Sequence, residues 1–311
     1  IFQEIMAIKS IVSSLRQFQP AIIHAVAMKP VIYSAIACAI SGLNKRIFAL
    51  AGLGFVFTSK KRSAKVLRPL MEFVFKLLFK GNNTRLILQN PEDQSALLSA
   101  NVIDNNHIRL IRGAGVDTSL FDLKPIPKNM PIISLPSRML WAKGIKDFIN
   151  CAKIINNNKK TARFVLVGTP DNQNPDAIPI EKLEEWNNSG IVEWWSHQSD
   201  MPTVYHKSTI VCLPTSYGEG LPKTLLEAAS CGRPIVTYDV PGCREIVKDG
   251  YNGYLVQPKS IDGLVGAITK LLNDYSLSVR MGKNGRKLVE KYFTQEKIAQ
   301  ETMAVWEEVL S

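Results

Sequence analysis

Apolar residues recur along this chain in two spacings. Short continuous blocks suit buried strands, and longer stretches with apolar positions three and four apart suit helices. Residues 1–18 read as an amphipathic helix and 20–25 as a strand. Helix-like and strand-like pieces then alternate through 31–41, 47–50, 62–79, 86–89, 91–100 and 108–111. A second alternation opens with a strand at 132–137, a helix at 145–156, a strand at 162–167 and a helix at 180–189. It continues through 192–195, 201–207 and 210–213 as far as residue 293. Between the two lies a proline-rich stretch, with Pro125, Pro127 and Pro131, which reads as an interdomain linker. Strands alternating with helices predict parallel sheets with helices on both faces. The fold class expected is therefore α/β, two Rossmann-like doubly wound domains facing a cleft lined by strand carboxyl ends. The expected boundaries are 1–127, 128–295, and a C-terminal helix at 296–311 returning toward the first domain.

Length and composition agree with two cores: 311 residues, 46% of them apolar. The net charge of +11 is uneven. Residues 1–128 carry 17 Lys/Arg against 7 Asp/Glu, whereas the remainder carries 21 against 20. The excess peaks at 60–80, where Lys60, Lys61, Arg62, Lys65, Arg68, Lys76 and Lys80 face the single acid Glu72. Leu67, Leu70, Met71, Phe73, Phe75, Leu77 and Phe79 interleave with those bases, so an anionic membrane surface is one reading of 60–80. A helix packed on its own domain with solvated bases is the other. No nucleic-acid reading motif accompanies the charge. Five scattered cysteines form no C-x-x-C pair and do not cluster with the four histidines, which suits a reducing compartment. The most apolar regions, 21–40 and 47–57, are interrupted or too short to span a bilayer.

The richest chemistry lies at 208–238. An apolar strand signal ends at Pro214, and Gly218, Glu219 and Gly220 follow in a turn. Pro222 then opens a helix carrying Lys223, Thr224 and Glu227. A strand, a glycine turn and a helix start make an anion cradle, because the first helical N–H groups and the helix dipole face the ligand. Glu219 at the helix mouth and Glu227 inside it, roughly 7–8 Å further along, suit a ligand held at both ends. A sugar would lie near Glu219, a ribose near Glu227 and a diphosphate between them. The competing reading makes both glutamates solvated surface charges.

Glu219 to Glu227 resembles the E-x7-E motif of retaining glycosyltransferases of family 4, which have the GT-B fold. The resemblance covers nearly the whole chain. Ser137, Arg138, Lys143 and Gly144 look like the family's donor-phosphate segment, the strand ending at Gly168 like the one that follows it, and 241–256 like the segment after the E-x7-E helix. Leu140–Gly144 in part, Asn174, Pro175 and 242–245 are similar to one branch. Its members extend undecaprenyl-diphosphate-linked sugars with N-acetylgalactosamine or a related sugar.

The resemblance implies a hexosyltransferase moving a sugar, N-acetylhexosamine in that branch, from a UDP donor to a polyprenyl-diphosphate-linked acceptor. Its setting would be peripheral, on the inner, cytoplasmic face of a bacterial plasma membrane, in surface polysaccharide or glycan assembly. Glu219 would meet the donor sugar; Arg138 and Lys143 would take the diphosphate charge, with no metal or other cofactor, since no Asp-x-Asp occurs. Gly168, Gly220, Leu221, Pro222, Lys223 and Thr224 would line the donor and Glu227 hold the ribose. Trp195 and His197 occupy the base-contacting loop, although Trp195 reads equally as core. On the acceptor side, His24 and Lys29 resemble the family's His-containing segment, with Val26 where a second histidine is usual, and Arg112 lies beside Gly113 and Gly115. Family members begin with a strand and a glycine turn that are missing here, so an N-terminally truncated acceptor domain is expected. Rival readings are a nucleotide-sugar epimerase or glycoside phosphorylase of the same fold, and a non-catalytic nucleotide-sugar-binding scaffold.

Overall fold

The computed structural model describes residues 2–53, 62–79, 81–157, 159–171, 173–216 and 220–311. The chain divides into two compact units. The first takes Ile1–Gly113 and Glu296–Ser311, along with Gly220 and Leu221; the second holds most of the chain from Ala114 to Gln295.

In the first unit, strands β1 (Ile23–Val26), β2 (Arg46–Leu50), β3 (Thr84–Leu88) and β4 (Ile108–Leu110) pair in sequence order, all parallel. Helices α1 (Phe2–Phe18), α2 (Met28–Ser41), α3 (Arg62–Leu78) and α4 (Pro91–Ser99) connect or precede them. Helix α2 starts three residues before the expected 31, because Pro30 falls in the first turn, where a missing N–H costs nothing. Successive strand side chains point to opposite faces. Phe48, Leu86 and Leu88 therefore meet Phe75 and Phe79 on one side, while Ile47 and Ile87 meet Ile298, Val305 and Val309 of the C-terminal helix on the other.

The second unit holds β5 (Ile132–Pro136), β6 (Arg163–Val167), β7 (Glu193–Trp194), β8 (Ile210–Leu213), β9 (Ile235–Tyr238) and β10 (Gly253–Val256). Its helices are α5 (Ile145–Ile155), α6 (Ile180–Asn188), α7 (Met201–Lys207), α8 (Lys223–Ser230), α9 (Pro241–Ile246), α10 (Ile261–Asn273) and α11 (Tyr275–Tyr292); α12 (Gln295–Leu310) closes the chain. The parallel strands run β10-β9-β8-β5-β6-β7, the doubly wound dinucleotide-fold order, with its reversal between β5 and β8. Ligands bind such sheets outside the strand carboxyl ends at that reversal.

The boundary falls at Gly113/Ala114, not at the expected 127/128, and the proline-rich stretch belongs to the second unit. Arg233, fully buried, donates to Cys231 O at 3.0 Å, Ser208 O at 3.1 Å and Pro125 O at 3.4 Å, and also to Lys124 O. Ser230 Oγ donates to Phe121 O at 2.6 Å and the Tyr275 hydroxyl to Ile126 O at 2.9 Å. Prolines here stiffen a strap whose Phe121, Lys124, Pro125 and Ile126 carbonyls are taken up by the second unit, where a hinge would leave them to water.

Candidate active site

Three strand ends converge at the reversal, and glycine lets them. After β5, Ser137 N donates to Val167 O at 2.9 Å, and a Cβ on Gly168 (φ +132°) would stand 2.0 Å from Ser137 O. Gly144 (φ +77°) is equally tight, since its Cβ would lie 2.0 Å from Pro214 O just past β8. Ser216 N donates to Ala142 O at 3.0 Å, tying the β5 and β8 loops together. Trp141–Lys143 form a 3-10 turn held by Asp176, whose backbone carbonyl accepts from Trp141 N at 3.0 Å and whose Oδ2 accepts from Ala142 N at 2.8 Å. Asn174 Oδ1 accepts from Asp176 N at 3.0 Å.

Two cations stand on this scaffold. Arg138 Nη1 donates to Asp171 Oδ2 at 2.8 Å, with 61% of its side chain exposed. Lys143 is half-buried, and burial first, then the charge of Arg138, pull its ammonium down to about 8. Proximity to Cys243 of α9 opposes the drop. A cation destabilised in this way gains from any anion that arrives beside it.

Pro222 (φ −64°, ψ 116°) is the N-cap of α8 and not, as expected, its first helical residue, because its ψ is extended and helical geometry starts at Lys223. Among the described residues no side chain caps the helix. Lys223 is largely exposed and places Nζ 3.7 Å from Glu227 Oε1. Glu227, the fifth residue of α8, is only 8% exposed, so it is not a solvated surface charge. Its Oε2 accepts from the hydroxyl of the fully buried Tyr205 at 2.8 Å. Burial raises its carboxyl above the usual range, against the pull of the Tyr205 hydrogen bond and of Lys223. Thr224 also hydrogen-bonds Tyr205 through its side chain.

Glu219 lies outside the described residues, with Tyr217 and Gly218. Gly220 and Leu221 group with the first unit, where Gly220 N donates to Ala51 O at 2.8 Å and Leu221 N to Gln89 Oε1 at 3.0 Å. In the second unit the Trp195 ring packs on the cluster of Ile132, Val165, Val167 and Val204 while its Nε1 donates to Glu193 Oε2 at 3.2 Å. His197 is exposed. His24, Lys29 and Arg112 all belong to the first unit. His24 Nδ1 accepts from Trp306 Nε1 at 3.1 Å, and burial lowers the pKa of its ring. Lys29 pairs with Glu4 at 2.9 Å on the surface, and Arg112 is exposed. Sequence reasoning missed Tyr205, Asp171, Asp176 and Gln89, none of which sits in a recognisable spacing with its partner.

The two cations of the β5 loop and the buried acid of α8 thus follow neighbouring strands at the reversal, the end of a doubly wound sheet where ligands bind. The chain belongs to the family "Glycosyl transferases group 1", whose model matches residues 117–288, and "Glycosyl transferase 4-like" matches 2–90. It is thus a glycosyltransferase of GT-B fold. Among its relatives is the N,N'-diacetylbacillosaminyl-diphospho-undecaprenol alpha-1,3-N-acetylgalactosaminyltransferase of Campylobacter jejuni, 29% identical over 93% of this chain and 77% of the relative. Another is the UDP-Gal:alpha-D-GlcNAc-diphosphoundecaprenol alpha-1,3-galactosyltransferase of Escherichia coli, 25% identical over 94% and 76%. In fold the chain matches Anabaena HepE, solved in complex with UDP, at a TM-score of 0.79 and 18% identity over 97% of this chain and 82% of that one. Among the described residues no helix is long and apolar enough to cross a membrane, and no group of three His, Cys, Asp or Glu residues could hold a metal ion.

Proposed function

We propose that this glycosyltransferase moves N-acetylhexosamine from a UDP donor, with retention and without a metal, onto a sugar linked to a polyprenyl diphosphate at the inner membrane face. The observation that carries the donor half is that two cations, Arg138 and Lys143, stand on the β5 loop while α8, which follows the neighbouring strand β8, carries a buried carboxylate, Glu227. The leaving diphosphate gathers negative charge as the glycosidic bond breaks. Arg138 offers a planar fork and Lys143 a point charge, already desolvated, and both suit phosphate oxygens. The start of α8, whose N-cap Pro222 brings no capping side chain, adds backbone N–H groups and a favourable dipole. Glu227 accepts from the ribose hydroxyls, and Glu219 meets the donor sugar as the transition state develops positive charge.

The acceptor half rests on the Campylobacter and Escherichia relatives, both named for transfer to diphospho-undecaprenol-linked sugars. Helix α3 supports a membrane setting. Phe75 faces the core, while Phe73, Lys76 and Leu77 are exposed. Apolar and basic side chains on one outward surface suit an anionic bilayer.

The test is transfer of labelled N-acetylhexosamine from UDP to an undecaprenyl-diphosphate-linked sugar, with and without chelator. Arg138→Ala is expected to lower turnover and Glu227→Ala to weaken UDP binding. Unchanged kinetics in both variants, or transfer abolished by chelation, would overturn the reading.

A further inference from the structure

We infer that Tyr205 is a positioning residue that fixes the ionised, ribose-accepting state of Glu227, and with it the enzyme's preference for ribonucleotide over deoxyribonucleotide donors. The inference rests on the reading of Glu227 as the ribose acceptor and deepens it.

The two oxygens of the Glu227 carboxylate have different surroundings. Oε2 is occupied by the Tyr205 hydroxyl at 2.8 Å, whereas among the described residues Oε1 has the Nζ of Lys223, 3.7 Å away and on a side chain 70% exposed. One oxygen is thereby anchored and the other left to accept. Tyr205 is fully buried and comes from α7, so the anchor reaches Glu227 from a different element than its own helix. Its ring meets Phe121 edge-on at 6.0 Å between centroids, and its hydroxyl also engages Thr224. A ring so held cannot follow the carboxylate if it swings, which fixes the rotamer of Glu227.

The same bond sets the protonation state. Burial drives the Glu227 carboxyl up, and the Tyr205 hydrogen bond, with the charge and hydrogen bond of Lys223, holds it down. Without the hydroxyl, the carboxyl takes up a proton at higher pH and becomes a donor. The charge-assisted bond from a ribose hydroxyl is then lost.

The test measures UDP and 2′,3′-dideoxy-UDP binding by calorimetry across pH 5.5–8.5 for the wild type, Tyr205→Phe, Thr224→Val and Glu227→Gln, with folding checked by circular dichroism. Tyr205→Phe is expected to weaken UDP on the order of tenfold while barely touching the dideoxy compound, and to move the acid limb of UDP affinity to higher pH. Thr224→Val, which removes only the second partner of the hydroxyl, should shift the limb the same way by less and covers the case in which Tyr205→Phe fails to fold. If Glu227→Gln loses the discrimination while a folded Tyr205→Phe keeps it with an unmoved pH limb, the positioning role is overturned and the ribose reading stands. If Glu227→Gln itself keeps the discrimination, the ribose reading falls and takes the inference with it. If Tyr205→Phe does not fold and Thr224→Val leaves the limb unmoved, the inference is likewise overturned.

Discussion

The Cα of Gly144 lies so close to the backbone of Pro214 that a methyl group on it would stand 2.0 Å from the Pro214 carbonyl oxygen. That approach brings the loop bearing Lys143 against the end of β8. Gly144→Ala must therefore both adopt φ +77° and push β8 away. It is expected to destabilise the second unit by about 2–4 kcal/mol. Gly190, at φ +72° with nothing within 4 Å of its would-be Cβ, is the control. Gly190→Ala carries only the conformational cost, about 1–2 kcal/mol. Thermal melting of both variants should show the Gly144 substitution as the more damaging, and equal losses would mean that the loop relaxes freely.

Lys143 should make donor binding proton-linked. Its ammonium sits at about 8, held down by burial and then by Arg138, and a bound diphosphate raises it again. At pH 8 the free lysine is half-charged, so UDP binding should take up about half a proton. Calorimetry in buffers of different ionisation heat reads this directly, and Lys143→Arg should abolish the uptake while keeping the charge. The sign for stability is the reverse of an ordinary ion pair. Between about 8 and the ordinary 10.5 the unfolded chain binds more protons than the folded one, so this residue's burial penalty shrinks as pH rises through that window. A flat buffer series would remove Lys143 from the diphosphate site.

Arg138 and Asp171 form an exposed pair, worth about 0–1 kcal/mol. An arriving diphosphate competes for the guanidinium. Asp171→Asn should thus tighten UDP by up to about fivefold, whereas Arg138→Ala should lower turnover about 10²–10³-fold. Titration calorimetry and initial rates separate the two. Weaker UDP binding in Asp171→Asn would show that the carboxylate aims Arg138 and does not compete for it.

Glu308 joins α12 to the first sheet, accepting from Arg85 Nε at 2.7 Å and Arg109 Nε at 2.8 Å. Burial pushes its carboxyl up, but the two arginines outweigh it and leave the pKa below 4.5. A depressed carboxylate stabilises the fold above its ordinary pKa and loses that contribution as pH falls through the folded value. Glu308→Gln should cost about 1 kcal/mol at neutral pH and flatten the acid limb of an unfolding curve followed by circular dichroism. An unchanged acid limb would make the contact incidental.

Much of this architecture was legible because local signals agreed with the global fold. Helix α7 and strand β8 fall where the pattern placed them, at 201–207 and 210–213. Asp200 caps the first through Thr203 N at 3.1 Å, and every residue of the second is buried. The cations and acid of the site were legible as residue types. Their partners were not, because Tyr205 precedes Glu227 by 22 positions and Arg138 precedes Asp171 by 33, separations that only the fold brings together. The prolines at 125–131 misled for the same reason. Composition reads them as an interdomain linker, and nothing nearby announces that Arg233, 109 positions beyond Lys124, will bind that segment's carbonyls.

That guanidinium also dictates how halves can be exchanged between members of the family. A chimaera joined between Gly113 and Ala114 inherits the arginine and the carbonyls it binds from one parent. A crossover at the proline-rich stretch would separate them, leaving a buried positive charge to find substitutes in a foreign backbone. Recombination of acceptor and donor specificities should therefore succeed at the earlier junction and yield insoluble hybrids at the later one.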